Sequence, residues 1–286
     1  MKKIFAVFFV FLLVFFSFLR YSSSQRDSAL TEVVFFDVGQ GDAALIQSPF
    51  NQDILIDGGP GKIILEKLGQ RMGMFNKDLE IVFLTHNHSD HLDGILEAVK
   101  SGYKIKAFVY ANDICQGADC DELFAFARKN IPKVIQAEIG MKFDLFCNES
   151  DADCYWIKIL GPEEKFRQDK NLNNSSIILK AHLSQGDFLF TGDAENKVWN
   201  YIIANGEEDE LSRICEIFNA DILKAPHHGS KTGISEELLK LTTPKEAVVS
   251  CGKDNKFGHP HPSALKLLDS FGAIIRRTDL DGDIGY

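Results

Sequence analysis

The chain has 286 residues, of which 45% are hydrophobic and 25% charged, and a formal net charge of −10. This composition excludes an intrinsically disordered protein, and the length suits one large α/β domain or two small ones. The acidic balance argues against a protein that coats nucleic acid through bulk charge, but it does not exclude an enzyme that meets one phosphate at a local site.

The N-terminal segment has the composition of a targeting sequence. Residues 4–19 are almost entirely apolar, rich in phenylalanine, and follow two lysines. We interpret residues 1–20 as a cleaved signal peptide or an uncleaved membrane anchor, and residues 21–30 as a polar linker. Both alternatives place the remaining 31–286 outside the cytoplasm. A buried core helix is disfavoured because the segment lacks a polar face.

Short apolar runs bounded by turn residues then predict strands, and amphipathic runs predict helices. The predicted strands are 32–36, 43–47, 53–56, 81–84, 105–110, 156–160, 176–181, 187–190, 221–224, 246–250 and 273–277. The predicted helices are 63–68, 92–99, 122–128, 195–204, 208–218, 235–241 and 263–270. Because both halves begin with strands and continue as alternating strands and helices, we expect two sheets packed face to face with helices outside.

The six cysteines are consistent with an exported protein. Cys115 and Cys120 are close in sequence, as are Cys147 and Cys154, and close pairs favour local disulfides in an oxidising compartment. Zinc ligation is the competing interpretation, but neither pair has the Cys-x-x-Cys spacing. We predict that Cys147 and Cys154 face each other across a hairpin formed by 143–146 and 155–159.

The most specific motif is Thr85-His86-Asn87-His88-Ser89-Asp90-His91, directly after the strand at 81–84. A loop at a strand end can turn alternate side chains inward. His86 and His88 could then hold one metal ion, and Asp90 and His91 a second. Imidazole and carboxylate ligands together suit zinc, manganese or iron. The alternative, a polar loop that is rich in histidine by chance, does not explain this spacing.

Ligand-type residues also follow three other predicted strands. They are Asp57 after 53–56, Asp193 after 187–190, and His227 with His228 after 221–224. Taken singly, Asp57 could be a helix cap and Asp193 a turn residue. Taken together, the four strand ends indicate one shared site. His259 and His261 lie in a further motif, Gly258-His259-Pro260-His261-Pro262, which could instead only shape the turn before the last long helix.

In combination, these motifs resemble the metallo-β-lactamase superfamily, with its His-x-His-x-Asp-His signature. The resemblance is closest to the extracytoplasmic C-terminal domain of ComEC-type competence proteins, and it covers about residues 32–284. The motifs that carry it are Phe36-Asp37-Val38-Gly39-Gln40-Gly41-Asp42-Ala43, Asp57-Gly58-Gly59, the histidine motif, Asn173-Asn174-Ser175-Ser176, Thr191-Gly192-Asp193, Pro226-His227-His228-Gly229-Ser230 and the 258–262 motif. The resemblance implies a four-layer αββα sandwich of the α/β class, with a metal site at one edge of the two sheets.

The resemblance also implies two divalent metal ions, zinc or manganese, and roles for individual residues. His86 and His88 match ligands of the first metal, Asp90, His91 and His228 match ligands of the second, and Asp193 matches the carboxylate that bridges them. Asp57 is expected to orient the histidine motif, His227 to lie beside the substrate, and His259 or His261 to protonate the leaving group. Many members have a histidine before the bridging aspartate, where this chain has the 173–176 motif.

The function expected from this resemblance is an exported or membrane-anchored phosphodiesterase, most simply a nuclease acting on DNA through a metal-activated hydroxide. Residues 4–19 would provide the contact with the membrane. Four lysines near the motifs could contact a phosphate backbone: Lys224, Lys231, Lys253 and Lys256. Two alternatives remain open, because this fold hosts many functions. One is a hydrolase of phosphocholine esters, lactones or β-lactams, and the other is a non-catalytic anchored binding module.

Overall fold

The structure, a computed structural model, describes residues 30–48, 52–73, 75–147, 154–205 and 211–286. Its strands are β1 (Glu32–Phe35), β2 (Ala44–Ser48), β3 (Gln52–Ile56), β4 (Asp78–Leu84), β5 (Lys104–Tyr110), β6 (Lys133–Gln136), β7 (Lys142–Cys147), β8 (Cys154–Gly161), β9 (Ile178–Leu183), β10 (Gly186–Phe190), β11 (Ile222–Lys224), β12 (Glu246–Val249), β13 (Ile274–Arg277) and β14 (Ile284–Gly285). Its α-helices are α1 (Ile63–Met72), α2 (Ser89–Lys100), α3 (Ala118–Asn130), α4 (Asn196–Ala204), α5 (Leu211–Phe218), α6 (Glu236–Thr242), α7 (Pro262–Ser270) and α8 (Thr278–Asp281).

The described strands form two seven-stranded mixed sheets. The first has the order β14-β1-β2-β3-β4-β5-β6, and the second has the order β13-β12-β11-β10-β9-β8-β7. In the first sheet β3 to β6 are parallel, and in the second sheet β10 to β13 are parallel. The two halves of the chain therefore repeat one plan, an antiparallel meander followed by parallel strands with helical crossovers.

Three apolar clusters show that the sheets pack face to face with helices outside. Along a strand, alternate side chains enter different clusters. Ile54 of β3 joins the cluster between the two sheets, whereas its neighbour Leu55 joins the cluster beneath α1, α2 and α3. A third cluster lies between the second sheet and helices α4 to α7, where Trp199 is fully buried. The expected four-layer αββα sandwich is confirmed.

Most predicted elements form within a few residues of the expected bounds, but three short ones were missed. These are β6, α8 and β14, which have four, four and two residues. A two-residue strand carries no detectable periodicity. It exists because Ile284 and Gly285 pair with Phe35 and Val34 of β1, at the other end of the described chain.

Residues 1–29, which comprise the predicted targeting segment and all but the last residue of the linker, lie outside the described residues, as do residues 208–210 of the predicted helix 208–218. No described helix is both long and apolar enough to cross a bilayer.

Both predicted disulfides are confirmed. Cys147 and Cys154 are paired residues of β7 and β8, with Cα atoms 4.1 Å apart. Cys115 bonds to Cys120 in the first turn of α3, with Cα atoms 5.4 Å apart. Among the described residues, the two free thiols are those of Cys215 and Cys251.

Candidate metal centre

The predicted site residues converge where β3, β4, β10 and β11 end, at one edge of the sandwich. Because parallel strands end at the same edge of a sheet, each half of the chain presents its ligand-type residues there. A backbone hydrogen bond from the Ile177 amide to the Thr85 carbonyl, 3.0 Å, joins the two halves at this edge. A cavity of about 410 Å³ opens above it, lined in part by His88, Asp193 and His228.

The histidine motif is divided between a loop and a helix, which corrects the expectation that all of it lies in a loop. His86 and His88 precede α2, and their Nε2 and Nδ1 atoms are 3.0 Å apart. Asp90 and His91 lie in the first turn of α2. A helix forms there because Leu92, with the apolar residues at 95, 96 and 99, has the spacing that buries one face against the first sheet.

Asp193 lies at the centre of the cluster. Its Oδ1 is 3.5 Å from His91 Nε2, and its Oδ2 is 3.8 Å from His86 Nε2 and 3.5 Å from His228 Nε2. Its backbone amide donates to Ser176 Oγ at 3.0 Å, which fixes the turn after β10. One carboxylate therefore faces histidines from both halves of the chain.

His227 and His228 both have left-handed backbone conformations, with φ of 50° and 54°. Such values are uncommon outside glycine and mark positions that the surrounding structure enforces. His228 is buried, and its Nε2 lies 3.3 Å from Asp90 Oδ2. His228 Nδ1 donates to the Ser250 carbonyl at 2.9 Å, which directs Nε2 toward the carboxylates of Asp90 and Asp193.

Asp57 holds the histidine motif in place. Its carboxylate accepts from the Thr85 amide at 2.8 Å and from the Thr85 hydroxyl at 2.7 Å, and Oδ2 is 2.8 Å from His91 Nδ1. The loop after β3 can approach α2 only because Gly94 has no side chain, since a Cβ there would lie 1.9 Å from the Gly58 carbonyl oxygen. Asp57 therefore contacts both Thr85, at the start of the histidine motif, and the His91 ring.

Asp42 and Lys224 form a buried ion pair beside the cluster, a contact that the sequence motifs do not predict for either residue. Lys224 Nζ contacts Asp42 Oδ2 and donates to the Gly192 carbonyl at 3.1 Å. Asp42 Oδ1 is in turn 3.2 Å from His228 Nδ1. Lys224 is 3% exposed, so the expectation that it contacts a substrate backbone is wrong. The one sequence signal for Asp42 is its position in a glycine-rich turn, within the 36–43 motif.

Charges within the cluster perturb the acid–base properties of its members. Burial alone would raise the pKa of the Asp193 carboxyl, but His228 and His91 hold that pKa well below its ordinary value. Burial would lower the pKa of His228, but Asp193 and Asp42 raise it to about 10. The pKa of His86 is well below its ordinary value, mainly because the ring is buried. A cation would therefore displace protons held between carboxylates.

The donor set fits divalent metal ions. The candidate ligand atoms of His86, His91 and Asp193 lie within 4.8 Å of one another, and so do those of Asp90, His91 and His228. Within the described part of the chain, three atoms of this set are buried without a hydrogen-bond partner: His91 Nε2, Asp193 Oδ1 and His228 Nε2. Buried polar atoms without partners are costly, and metal coordination would satisfy them.

The two histidines of the 258–262 motif differ in their position relative to the cavity. His259 lines it, and burial together with the charges of His228 and His227 lowers the pKa of His259 to about 4. His261 lies behind, where its Nδ1 accepts from the Lys231 amide at 3.1 Å. The structure therefore brings His259 to the cavity but gives His261 a local structural contact.

His227 has a carboxylate partner that sequence reasoning missed. Glu195 Oε1 is 3.3 Å from His227 Nδ1, and His227 Nε2 is 3.9 Å from Asp193 Oδ2. Asn171 and Asn173 donate to the two oxygens of Glu195 at 3.0 and 3.3 Å. Glu195 thus holds the His227 ring with one nitrogen turned toward the cluster.

The chain is similar in sequence to one protein family and to two bacterial proteins. The family model described as the metallo-beta-lactamase superfamily matches residues 36–253. ComE operon protein 3 of Bacillus subtilis is 28% identical over 275 residues, which cover 89% of this chain and 33% of that protein. Recombination protein 2 of Haemophilus influenzae is 27% identical over 271 residues, which cover 91% of this chain and 29% of that protein. The chain thus spans about a third of the length of these relatives.

Solved structures share the fold at low sequence identity. A variant of the β-hydroxylase CmlA of Streptomyces venezuelae is 12% identical, with a TM-score of 0.52, and the match covers 89% of this chain and 53% of that one. A long-form RNase Z from yeast is 11% identical, with a TM-score of 0.50, and the match covers 90% of this chain and 42% of that one. At this identity the likeness concerns the fold alone.

Proposed function

The chain belongs to the metallo-β-lactamase superfamily, and on that premise we propose that it is a phosphodiesterase that uses two divalent cations, zinc or manganese. The single observation that supports this most strongly is the set of buried, unpartnered atoms of His91, Asp193 and His228. A cluster that served only for stability would satisfy its own hydrogen bonds.

We assign His86 and His88 to a first cation, and Asp90, His91 and His228 to a second. Asp193 faces both groups and is assigned as the shared carboxylate. Asn173 lines the cavity together with His88, and its buried Oδ1 has no hydrogen-bond partner among the residues that the structure describes. An amide oxygen is a poor ligand for zinc and a better one for harder cations, which favours manganese at this position.

Residues of the chain itself would orient the substrate and the metal ligands. Bound divalent cations would supply Lewis-acid polarisation of a phosphoryl oxygen and activation of a water. His227, held at Nδ1 by Glu195, keeps Nε2 toward the reacting group. His259 lies at the cavity wall, and because its pKa of about 4 leaves the ring neutral, it could donate a hydrogen bond to the leaving oxygen. Asp57 keeps the His91 ring in the orientation that points Nε2 at Asp193.

The proposed substrate is DNA or a related nucleic-acid diester. The names of the relatives, a ComE operon protein and a recombination protein, favour a protein that handles DNA. The acidic net charge does not oppose a locally held phosphate, because cations in the site would offset the carboxylates that surround them. Three exposed lysines remain available for a backbone: Lys231, Lys253 and Lys256.

We further propose that residues 31–286 form the hydrolase domain and act outside the cytoplasm. The two disulfides support this, since such bonds persist in oxidising compartments. Residues 1–20 would be the signal peptide or the membrane anchor, and 21–30 the linker. A protein that begins near residue 28 is expected to stay folded and active.

The proposal is tested by assaying the purified chain on single-stranded DNA and on bis-p-nitrophenyl phosphate with Mg²⁺, Mn²⁺ or Zn²⁺. We expect metal-dependent cleavage of both, which chelation abolishes and added metal restores. Asp193→Ala should remove activity, while Asp187→Ala, at the other end of β10, is the matched control. Cleavage of phosphocholine esters, lactones or β-lactams without cleavage of either diester would assign another hydrolase class, and no turnover with any substrate would favour the binding module.

A further inference from the structure

An exposed aromatic ring lies at the mouth of the metal cavity. Phe257 lines the cavity and is 52% exposed. Its ring is nearly parallel to that of His259, with an interplanar angle of 23° and centroids 5.8 Å apart. The side chain thus extends an aromatic surface from the cavity wall into water.

The loop that carries Phe257 is tied together by one side chain. Asn255 Oδ1 accepts from the amides of Phe257 and His259 at 3.1 and 3.0 Å, and Asn255 Nδ2 donates to the carbonyls of Gly252, at 2.9 Å, and His259. These bonds fix the loop in a shape that holds the phenylalanine outward. Because these bonds fix the loop, the ring stays exposed beside the cavity, where a flat ligand could cover it.

The charges around the cavity are of both signs. On the Phe257 side, Lys256 Nζ is 5.1 Å from the ring centroid and Lys253 is exposed on the same loop. The carboxylates of Asp93 and Asp119, which belong to α2 and α3, also line the cavity. An anionic strand that reached the site would be repelled by these carboxylates and attracted by the lysines beside Phe257.

We propose that Phe257 is a stacking platform for an unpaired nucleobase next to the phosphate at the metal centre. The occupant that fits is a nucleotide with an exposed base, because a flat aromatic surface beside ammonium groups matches a base followed by a phosphate. A base in a duplex is covered on both faces, so the platform selects single-stranded or frayed ends. This inference rests on the proposed phosphodiesterase activity and specifies its substrate.

The test compares two diesters that share a leaving group, using the full chain loaded with Mn²⁺. The p-nitrophenyl ester of thymidine 5′-phosphate carries a base, and methyl p-nitrophenyl phosphate does not. We expect Phe257→Ala to lower kcat/KM for the thymidine ester by about tenfold, mainly through KM, and to leave the methyl ester nearly unchanged. Phe257→Trp should preserve the preference for the thymidine ester. Phe75→Ala, which removes a ring that is 89% exposed and does not line the cavity, is the matched control.

The outcomes separate the two proposals. Equal losses on both esters, or no loss on either, would overturn the stacking platform while the activity on the methyl ester upholds the phosphodiesterase. Absence of cleavage of both esters by the wild-type chain would overturn the phosphodiesterase and the platform with it. A preference for duplex over single-stranded DNA would also refute the platform.

Discussion

The buried pair of Lys224 and Asp42 offers a direct test of how the metal centre is supported. The side chains are 4% and 8% exposed, and the ammonium also donates to the Gly192 carbonyl. Lys224→Met keeps the bulk of the side chain but leaves the Asp42 carboxylate without its strongest buried partner. Breaking one side of a buried pair costs about 3–5 kcal/mol, because the remaining charge stays desolvated.

At about 2–4 °C per kcal/mol for a chain of this size, the melting temperature should fall by about 6–20 °C. The measurement is urea and thermal unfolding of metal-free protein, since a bound cation would itself stabilise the fold. Lys224→Met combined with Asp42→Asn should recover part of the loss, because both charges are then gone. Lys106→Met, at the exposed pair with Glu80, should cost less than about 1 kcal/mol. A similarly small effect of Lys224→Met would refute the reasoning.

Three further predictions concern separate parts of the molecule. Glu195→Ala should lower kcat about tenfold or more with little change in KM, because His227 loses the partner that orients it; Glu195→Gln, which can still accept a hydrogen bond, should retain more activity, and unchanged kcat in both would contradict the orienting role. Replacement of both Cys147 and Cys154 by serine, which leaves the Cys115–Cys120 bond intact, should lower the free energy of unfolding by about 2–3 kcal/mol; coincident unfolding curves of the variant and the parent protein would show that the bond contributes nothing. Burial and the neighbouring carboxylate raise the pKa of the Cys251 thiol to about 12, so alkylation of Cys251, followed by mass spectrometry, should stay slow as the pH rises from neutral toward that value; rapid alkylation in folded protein would show that the thiol is neither buried nor protonated.

Much of the site is predictable because its ligand-type residues lie in short sequence motifs. The spacing of His86, His88, Asp90 and His91 within one motif indicates metal chemistry without any tertiary information. The strand ends at Asp193 and His228 then follow from apolar runs that stop at polar residues. The sandwich follows equally from local patterns, since both halves alternate strands and helices over short distances.

The supporting contacts are not predictable in the same way, because each depends on residues far apart in sequence. Asp42 lies in a glycine-rich turn of the first half, and its partner Lys224 ends a strand of the second half. Lysine at a strand end is usually exposed, so the sequence predicts contact with substrate, and only the packing of the two sheets shows that Lys224 is buried. Glu195 was missed for a similar reason, since an acidic residue before a helix ordinarily reads as a helix-terminal charge.

The central claim, a phosphodiesterase with two cooperating cations, is tested most directly by one titration. Metal-free protein is mixed with increasing Mn²⁺ while the rate of bis-p-nitrophenyl phosphate hydrolysis is measured. The account predicts that the rate rises and saturates at about two equivalents per chain. Saturation at one equivalent would contradict the shared role of Asp193, and a rate that stays at the background level throughout would contradict the phosphodiesterase itself.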